Sequence, residues 1–232
     1  MCTSFVKKTG DNFYIAMNFD NNGMSYSIQT GKKDWFIVSI TVNKVKYPSF
    51  GVHKSGIFFN NLFVDANEKG KYKRGKGVVH TSRFLSDIIN EKACADNLEE
   101  YLEQTEIVNV PDFSTHNMIC GTKGDVWIIE PGRGNIHHTL KNGEFKIMTN
   151  ASLIDSMKNG EEVSCKRYIT GKKLLSNGED FNLDRAFEIL DAVKQTETEW
   201  KTEFSMVYDK SAWTIYYCEN QDFTNIQKFI FK

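Results

Sequence analysis

Residues 1–20 read Met1-Cys2-Thr3-Ser4-Phe5-Val6-Lys7-Lys8-Thr9-Gly10-Asp11-Asn12-Phe13-Tyr14-Ile15-Ala16-Met17-Asn18-Phe19-Asp20. Two short extended runs, 4–7 and 12–17, flank Thr9-Gly10-Asp11, a trio suited to a tight hairpin turn. A third run at 25–29 follows Asn21-Asn22-Gly23, so the chain opens as an antiparallel meander. Further on, 34–42 and 56–64 are rich in Ile, Val and Phe and read as buried strands. Tyr47-Pro48 and Lys54-Ser55-Gly56 punctuate them.

Thr81 or Ser82 is placed to cap a helix reaching about Asn90, with Phe84, Leu85, Ile88 and Ile89 at helical spacing. A second helix is expected near 95–104. Strand signals return at 117–120, 126–130, 136–140 and 145–148, separated by Gly-Asp, Pro-Gly and Asn-Gly turns. Helical pattern resumes at 163–175 and 183–196, and 203–208, 213–218 and 226–231 close the chain as strands. Blocks of strands and helices alternate without a Pro/Ser-rich linker or a fixed-period repeat. That order predicts one α+β domain over residues 1–232, with two antiparallel sheets packed together and helices outside.

Composition narrows the function classes. The 29 Lys+Arg and 30 Asp+Glu of the 232 residues leave a net charge of -1, without the basic excess of nonspecific nucleic-acid or acidic-membrane binders. The longest apolar stretch, 35–42, is far short of the ~18 residues of a membrane-spanning helix. The N-terminus lacks the order of a signal peptide, so a cytoplasmic location is expected. Cys2, Cys94, Cys120, Cys165 and Cys218 are odd in number and widely spaced, against a disulfide framework or a zinc knuckle. His53, His80, His116, His137 and His138 form no metal-ligand spacing, and no metal or cofactor is expected. Asp125 and Glu130 read as turn or surface residues, His116 and Cys120 as a structural pair. The run Lys69-Gly70-Lys71-Tyr72-Lys73-Arg74-Gly75-Lys76-Gly77 matches no phosphate-binding glycine pattern and reads as a mobile, solvated loop.

Cys2 is the most informative residue. A small side chain after Met1 permits methionine removal, which would leave thiol and α-amine on one residue. An α-amine with a pKa of ~7.7 to 8.0 is suited to take the thiol proton and later protonate a leaving amine.

The residues after Cys2 resemble one family. Met1-Cys2-Thr3, Met17-Asn18-Phe19-Asp20, Met148-Thr149-Asn150 and Ser164-Cys165-Lys166-Arg167-Tyr168 occur in the order of similar segments in the choloylglycine hydrolases. Phe204-Ser205-Met206-Val207-Tyr208-Asp209 followed by Trp213-Thr214-Ile215-Tyr216-Tyr217 is similar to the closing hairpin of that group, which includes penicillin V acylases and bile salt hydrolases. The resemblance implies a four-layer αββα sandwich, the N-terminal-nucleophile hydrolase fold. It implies Cys2 as nucleophile and, through its freed amine, base; Asp20 as the amine's partner; Asn150 as oxyanion donor; and Arg167 as a cation lowering the thiol pKa. It places a second oxyanion donor at the backbone N–H of Phe63, while Phe58 and Phe59 are expected to line an apolar acyl pocket.

The implied activity is hydrolysis of a linear, non-peptide amide, with a small-molecule substrate, no nucleic-acid or membrane partner, and a homo-oligomer left open. An acyltransferase using the same acyl-cysteine, or an inactive binding protein on the same fold, are the alternatives. Met17 replaces the family's arginine, and the chain is shorter than typical bile salt hydrolases, implying reduced substrate loops and a divergent substrate.

Overall fold

The structure is a computed structural model describing residues 2–94, 97–177, 180–196 and 199–232. Its first strands are β1 (Cys2–Thr9), β2 (Asn12–Asn21), β3 (Tyr26–Lys32), β4 (Trp35–Val42), β5 (Val45–His53), β6 (Phe58–Asn60) and β7 (Leu62–Phe63). A short helical turn at Glu68–Gly70 precedes β8 (Val78–His80), α1 (Thr81–Ile89), α2 (Leu98–Gln104) and β9 (Glu106–Val108). Then come β10 (Thr115–Cys120), β11 (Asp125–Glu130), β12 (Gly134–Thr139) and β13 (Phe145–Met148). The helices α3 (Leu153–Asn159), α4 (Lys166–Ser176) and α5 (Leu183–Ala192) lead to β14 (Lys201–Asp209), β15 (Thr214–Glu219) and β16 (Gln227–Ile230).

The chain divides into two compact units: residues 1–23, 140–151 and 162–232 form the first, residues 24–139 and 152–161 the second. In the first, an antiparallel six-stranded sheet runs in the order β13-β1-β2-β14-β15-β16. Side chains alternate across its strands, so Phe5, Tyr14, Ala16, Ile147 and Val207 share one face. That face packs on Leu175 of α4 and on Ala186, Phe187 and Leu190 of α5. Full burial of each large side chain contributes roughly 1.5–3 kcal/mol. Gly171 brings α4 close to the sheet, for a Cβ there would lie 2.5 Å from Ile147 Cδ1. Asn182 caps α5 by accepting the Arg185 amide at 2.9 Å. Buried Lys7 donates to the carbonyl of Leu175, in the last turn of α4, at 3.2 Å.

The second unit holds an eight-stranded sheet ordered β12-β11-β10-β6-β5-β4-β3, with β7 also pairing with β10. Trp35, Phe59, Ile119 and Trp127 pack with Phe84, Leu85 and Ile88 of α1 and Leu98 of α2. Strands β8 and β9 form a separate parallel pair.

Several local expectations are corrected. Tyr47-Pro48 lies inside β5 rather than between strands. Val38 pairs with Phe50 but Ser39 with Pro48, so a bulge at Ser49 accommodates the proline's missing N–H. The cap of α1 is His80, whose side chain accepts the Arg83 amide at 3.2 Å. Residues 153–159 form a helix where none was expected, while the expected one at 163–175 begins at Lys166. Ala95, the expected start of the second helix, lies outside the described residues; α2 begins at Leu98.

The basic loop is tied down at one end. Gly70 is buried and its N–H donates to Asn67 Oδ1 at 2.8 Å, and a Cβ there would meet the Pro131 carbonyl oxygen at 2.4 Å. Glu130 is neither turn nor surface but 1% exposed, 3.1 Å from buried His116. It also accepts the Ser152 hydroxyl and the Leu153 amide of α3 at 2.5 and 2.9 Å. Burial opposes its ionisation, but His116, Ser152 and the helix amide outweigh this and hold it below the usual carboxylate range.

Candidate active site

Cys2 opens β1, where it pairs with Phe19 on β2, while Thr3 pairs with Asn18 and Ser4 with Met17. Alternation puts Cys2, Ser4, Met17 and Phe19 on the sheet face turned away from α4 and α5, and Thr3, Asn18 and Asp20 on the helix face. The main chain of Cys2 is held from both ends. Its N–H donates to Asn150 Oδ1 at 2.7 Å, and its carbonyl accepts Arg167 Nη1 at 2.5 Å. The thiol is 6% exposed as a residue and donates to the Asp20 carbonyl at 3.8 Å.

Arg167 reaches this point because it lies in the first turn of α4, where side chains project back over the helix N-terminus. Its Nη1 also donates to Thr3 Oγ1 at 3.0 Å and Asp20 Oδ2 at 3.3 Å, and its Nη2 to Asn150 Oδ1 at 2.9 Å. One guanidinium therefore links β1, β2 and Asn150, two residues beyond β13. With Oδ1 of Asn150 accepting two donors, the orientation of that amide is set, and Nδ2 is its donor end.

Asp20 is 2% exposed. Its Oδ1 accepts Thr202 Oγ1 at 2.5 Å and its Oδ2 accepts Gln195 Nε2 at 2.8 Å. Burial raises its carboxyl to about 6, against the opposing pull of Thr202, Arg167 and Gln195. Arg167 was expected to depress the Cys2 thiol. It does pull downward, but burial is larger and pushes the thiol up to about 11.

The first unit thus brings together Cys2, Asp20, Asn150 and Arg167, four of the residues singled out in the sequence. The other three lie in the second unit. Phe59 is fully buried in the core beneath α1, its ring 5.4 Å from that of Trp35, a packing residue rather than the wall of an acyl pocket. Phe58, its neighbour on β6, is also fully buried and points to the opposite face of the sheet. Phe63 ends β7 opposite Thr115, with its ring 5.9 Å from Phe113. Met17 is fully buried. Met1 lies outside the described residues.

Gln195 and Thr202 join the site without a sequence signal, since each is an ordinary polar residue until the strands are registered, and Thr3, quoted with Cys2 in the sequence, gains a role only through Arg167. Among the described residues, no cluster of three or more His, Cys, Asp or Glu side chains is placed to hold a metal ion. No described helix is long and apolar enough to cross a membrane.

The fold around these residues is the α+β fold of the N-terminal-nucleophile hydrolases, the class expected from the sequence. Among solved structures, a cysteine-to-alanine mutant of conjugated bile acid hydrolase from Clostridium perfringens matches with a TM-score of 0.74 at 16% identity, over 99% of this chain and 92% of that one. Penicillin V acylase from Agrobacterium tumefaciens matches at 0.69 with 12% identity, over 95% and 83%. An N-acylethanolamine-hydrolyzing acid amidase ortholog from Caenorhabditis elegans matches at 0.61 with 16% identity, over 89% and 92%. No family model matches the chain, and no curated protein matches it in sequence.

Proposed function

We propose that the protein is a thiol hydrolase of linear, non-peptide amides that works through an acyl-enzyme on Cys2. The observation that carries this reading is the clamp on Cys2, its nitrogen on Asn150 and its carbonyl on Arg167. The matched solved structures, a bile acid hydrolase, a penicillin V acylase and an acid amidase, support the same reaction class.

Removal of Met1 turns the Cys2 peptide N–H into an α-amine. That amine takes the thiol proton as Sγ attacks the amide carbonyl carbon, and the charge developing on the carbonyl oxygen is met by Asn150 Nδ2. Such a donor is worth about 3 to 4 kcal/mol of transition-state stabilisation. Collapse of the tetrahedral intermediate breaks the C–N bond, and the ammonium returns its proton to the departing amine. Water, deprotonated by the same amine, then attacks the thioester; the carboxylic product leaves and the thiol is restored. A buried thiol raised to about 11 is protonated at neutral pH, so the reaction requires this adjacent base. Transfer of the acyl group to an amine other than water is the related alternative.

The test is intact mass of untagged protein before and after an acyl-transferring thiol probe, with turnover of an amide panel. Loss of one Met, one adduct on Cys2, and turnover abolished by Cys2→Ala are expected. Retained Met1 with an unlabelled Cys2 would overturn the hydrolase and favour a binding protein on this fold.

A further inference from the structure

Strand β14 contains one residue more than its partner requires. Ser205 pairs with Asn18 and Phe204 with Phe19, but Thr202, not Glu203, pairs with Asp20. In an unbroken register Glu203 would stand opposite Asp20, two carboxylates on one face, which is destabilising. The bulge instead aims Thr202 at Asp20, and Glu203 accepts Asn21 Nδ2 at 2.8 Å. Bulges of this kind re-aim side chains beside functional sites.

The segment before β14 completes the holder. The Gln195 amide donates to Thr202 Oγ1 at 2.9 Å, which directs the hydroxyl proton to Asp20 Oδ1. The Gln195 side chain donates to Asp20 Oδ2 and to the Trp200 carbonyl, at 2.8 and 3.2 Å. The main-chain carbonyl of Gln195 in turn accepts the Thr202 amide and Gln221 Nε2, each at 3.0 Å. Both carboxyl oxygens of a buried acid are therefore gripped by neutral donors from one short stretch, and the second oxygen also receives Arg167.

We propose that Thr202 and Gln195 are positioning residues for the reaction: they orient and ionise Asp20, so that Asp20 holds Arg167 against the Cys2 carbonyl and Asn150. This rests on the hydrolase reading above for its link to turnover, though not for the Thr202–Asp20–Arg167 coupling itself. Among the described residues, the charged and titratable neighbours of Asp20 are Arg167 from α4 and the Cys2 thiol from β1. The direction of each effect follows. Removing the Thr202 hydroxyl takes a donor from the ionised carboxylate, so Asp20 protonates at higher pH and releases Arg167.

The experiment compares wild type, Thr202→Val, Thr202→Ser and Gln195→Met. Carboxyl-carbon NMR follows the Asp20 midpoint, nitrogen NMR follows the Arg167 guanidinium, and steady-state kinetics follow amide turnover. In Thr202→Val the Asp20 midpoint is expected to rise by about one pH unit. The Arg167 signals should collapse toward a solvent-averaged pattern, and kcat should fall about tenfold with KM little changed. Thr202→Ser should restore all three. A folded Thr202→Val with the wild-type midpoint and Arg167 pattern would overturn the proposal. If that variant does not fold, half-buried Gln195→Met carries the same two outcomes. Wild-type protein without amide turnover would sink the hydrolase reading, while the NMR midpoints would still decide the coupling.

Discussion

Arg167 Nη1 donates to the carbonyl oxygen of Cys2 at 2.5 Å, joining residues 165 positions apart. The same nitrogen serves Thr3 and Asp20, and the other terminal nitrogen serves Asn150. The planar fork of the guanidinium thus couples the main chain of the candidate nucleophile to its buried acid and its amide.

A lysine cannot reproduce that fork. Arg167→Lys should retain the fold, since helix propensities of the two residues are nearly equal, yet lower kcat/KM about a hundredfold, equivalent to roughly 3 kcal/mol. Circular dichroism and steady-state kinetics on the same preparation check both halves, and undiminished turnover would remove Arg167 from the mechanism.

Asp20 makes stability depend on pH in an unusual direction. Burial raises its carboxyl from 3.8 to about 6, so the fold binds that proton more tightly than the unfolded chain. Its contribution is fully present below the unfolded value of 3.8 and is lost as pH rises to about 6. The loss is on the order of 3 kcal/mol. Urea unfolding of wild type and Asp20→Asn across this window should show the wild-type advantage shrinking as pH rises; a constant difference would contradict the assignment.

Glu130 carries a different burden in the second unit, where it faces His116 and the Ser152–Leu153 start of α3. Glu130→Ala strands a buried imidazole and the helix amides without their acceptor. It should cost about 3 to 5 kcal/mol, read as a lower urea midpoint. Because its pKa is held below the usual range, the wild-type contribution is present above the unfolded carboxylate pKa and lost as pH falls through the folded one.

Gly171 sets the spacing between α4 and β13. Its absent Cβ would be 2.5 Å from Ile147 Cδ1, so Ala demands only a rotamer adjustment, whereas Leu forces the helix outward. Gly171→Ala is expected to change stability by less than about 1 kcal/mol, propensity gain offsetting the contact. Gly171→Leu should displace Arg167 and lower kcat at least about tenfold. Equal activity in the two variants would show that α4 placement is not critical.

The opening hairpin and the two amphipathic helices, expected to about 90 and over 183–196 and observed at 81–89 and 183–192, are legible from nearest-neighbour patterns. Each depends on residues a turn or a strand apart, and periodicity reports such contacts directly. Asp20, Asn150 and Arg167 were found through resemblance rather than periodicity, for a turn acid, a loop asparagine and a helix arginine are each common. Strand β5 escapes the local pattern because proline usually breaks a strand, and only pairing with β4 reveals the bulge that admits it.

What the sequence by itself determined is the alternation of strands and helices and a cysteine next to Met1. Tertiary structure alone decided that β14 slips by one residue at Glu203, that Thr202 and Gln195 close on Asp20, and that His116 and Glu130 meet in the second unit. The physical reason is range. Local pattern sets which way a side chain points along its own strand, whereas register, burial and the cost of an unpaired charge are settled between segments far apart in the chain.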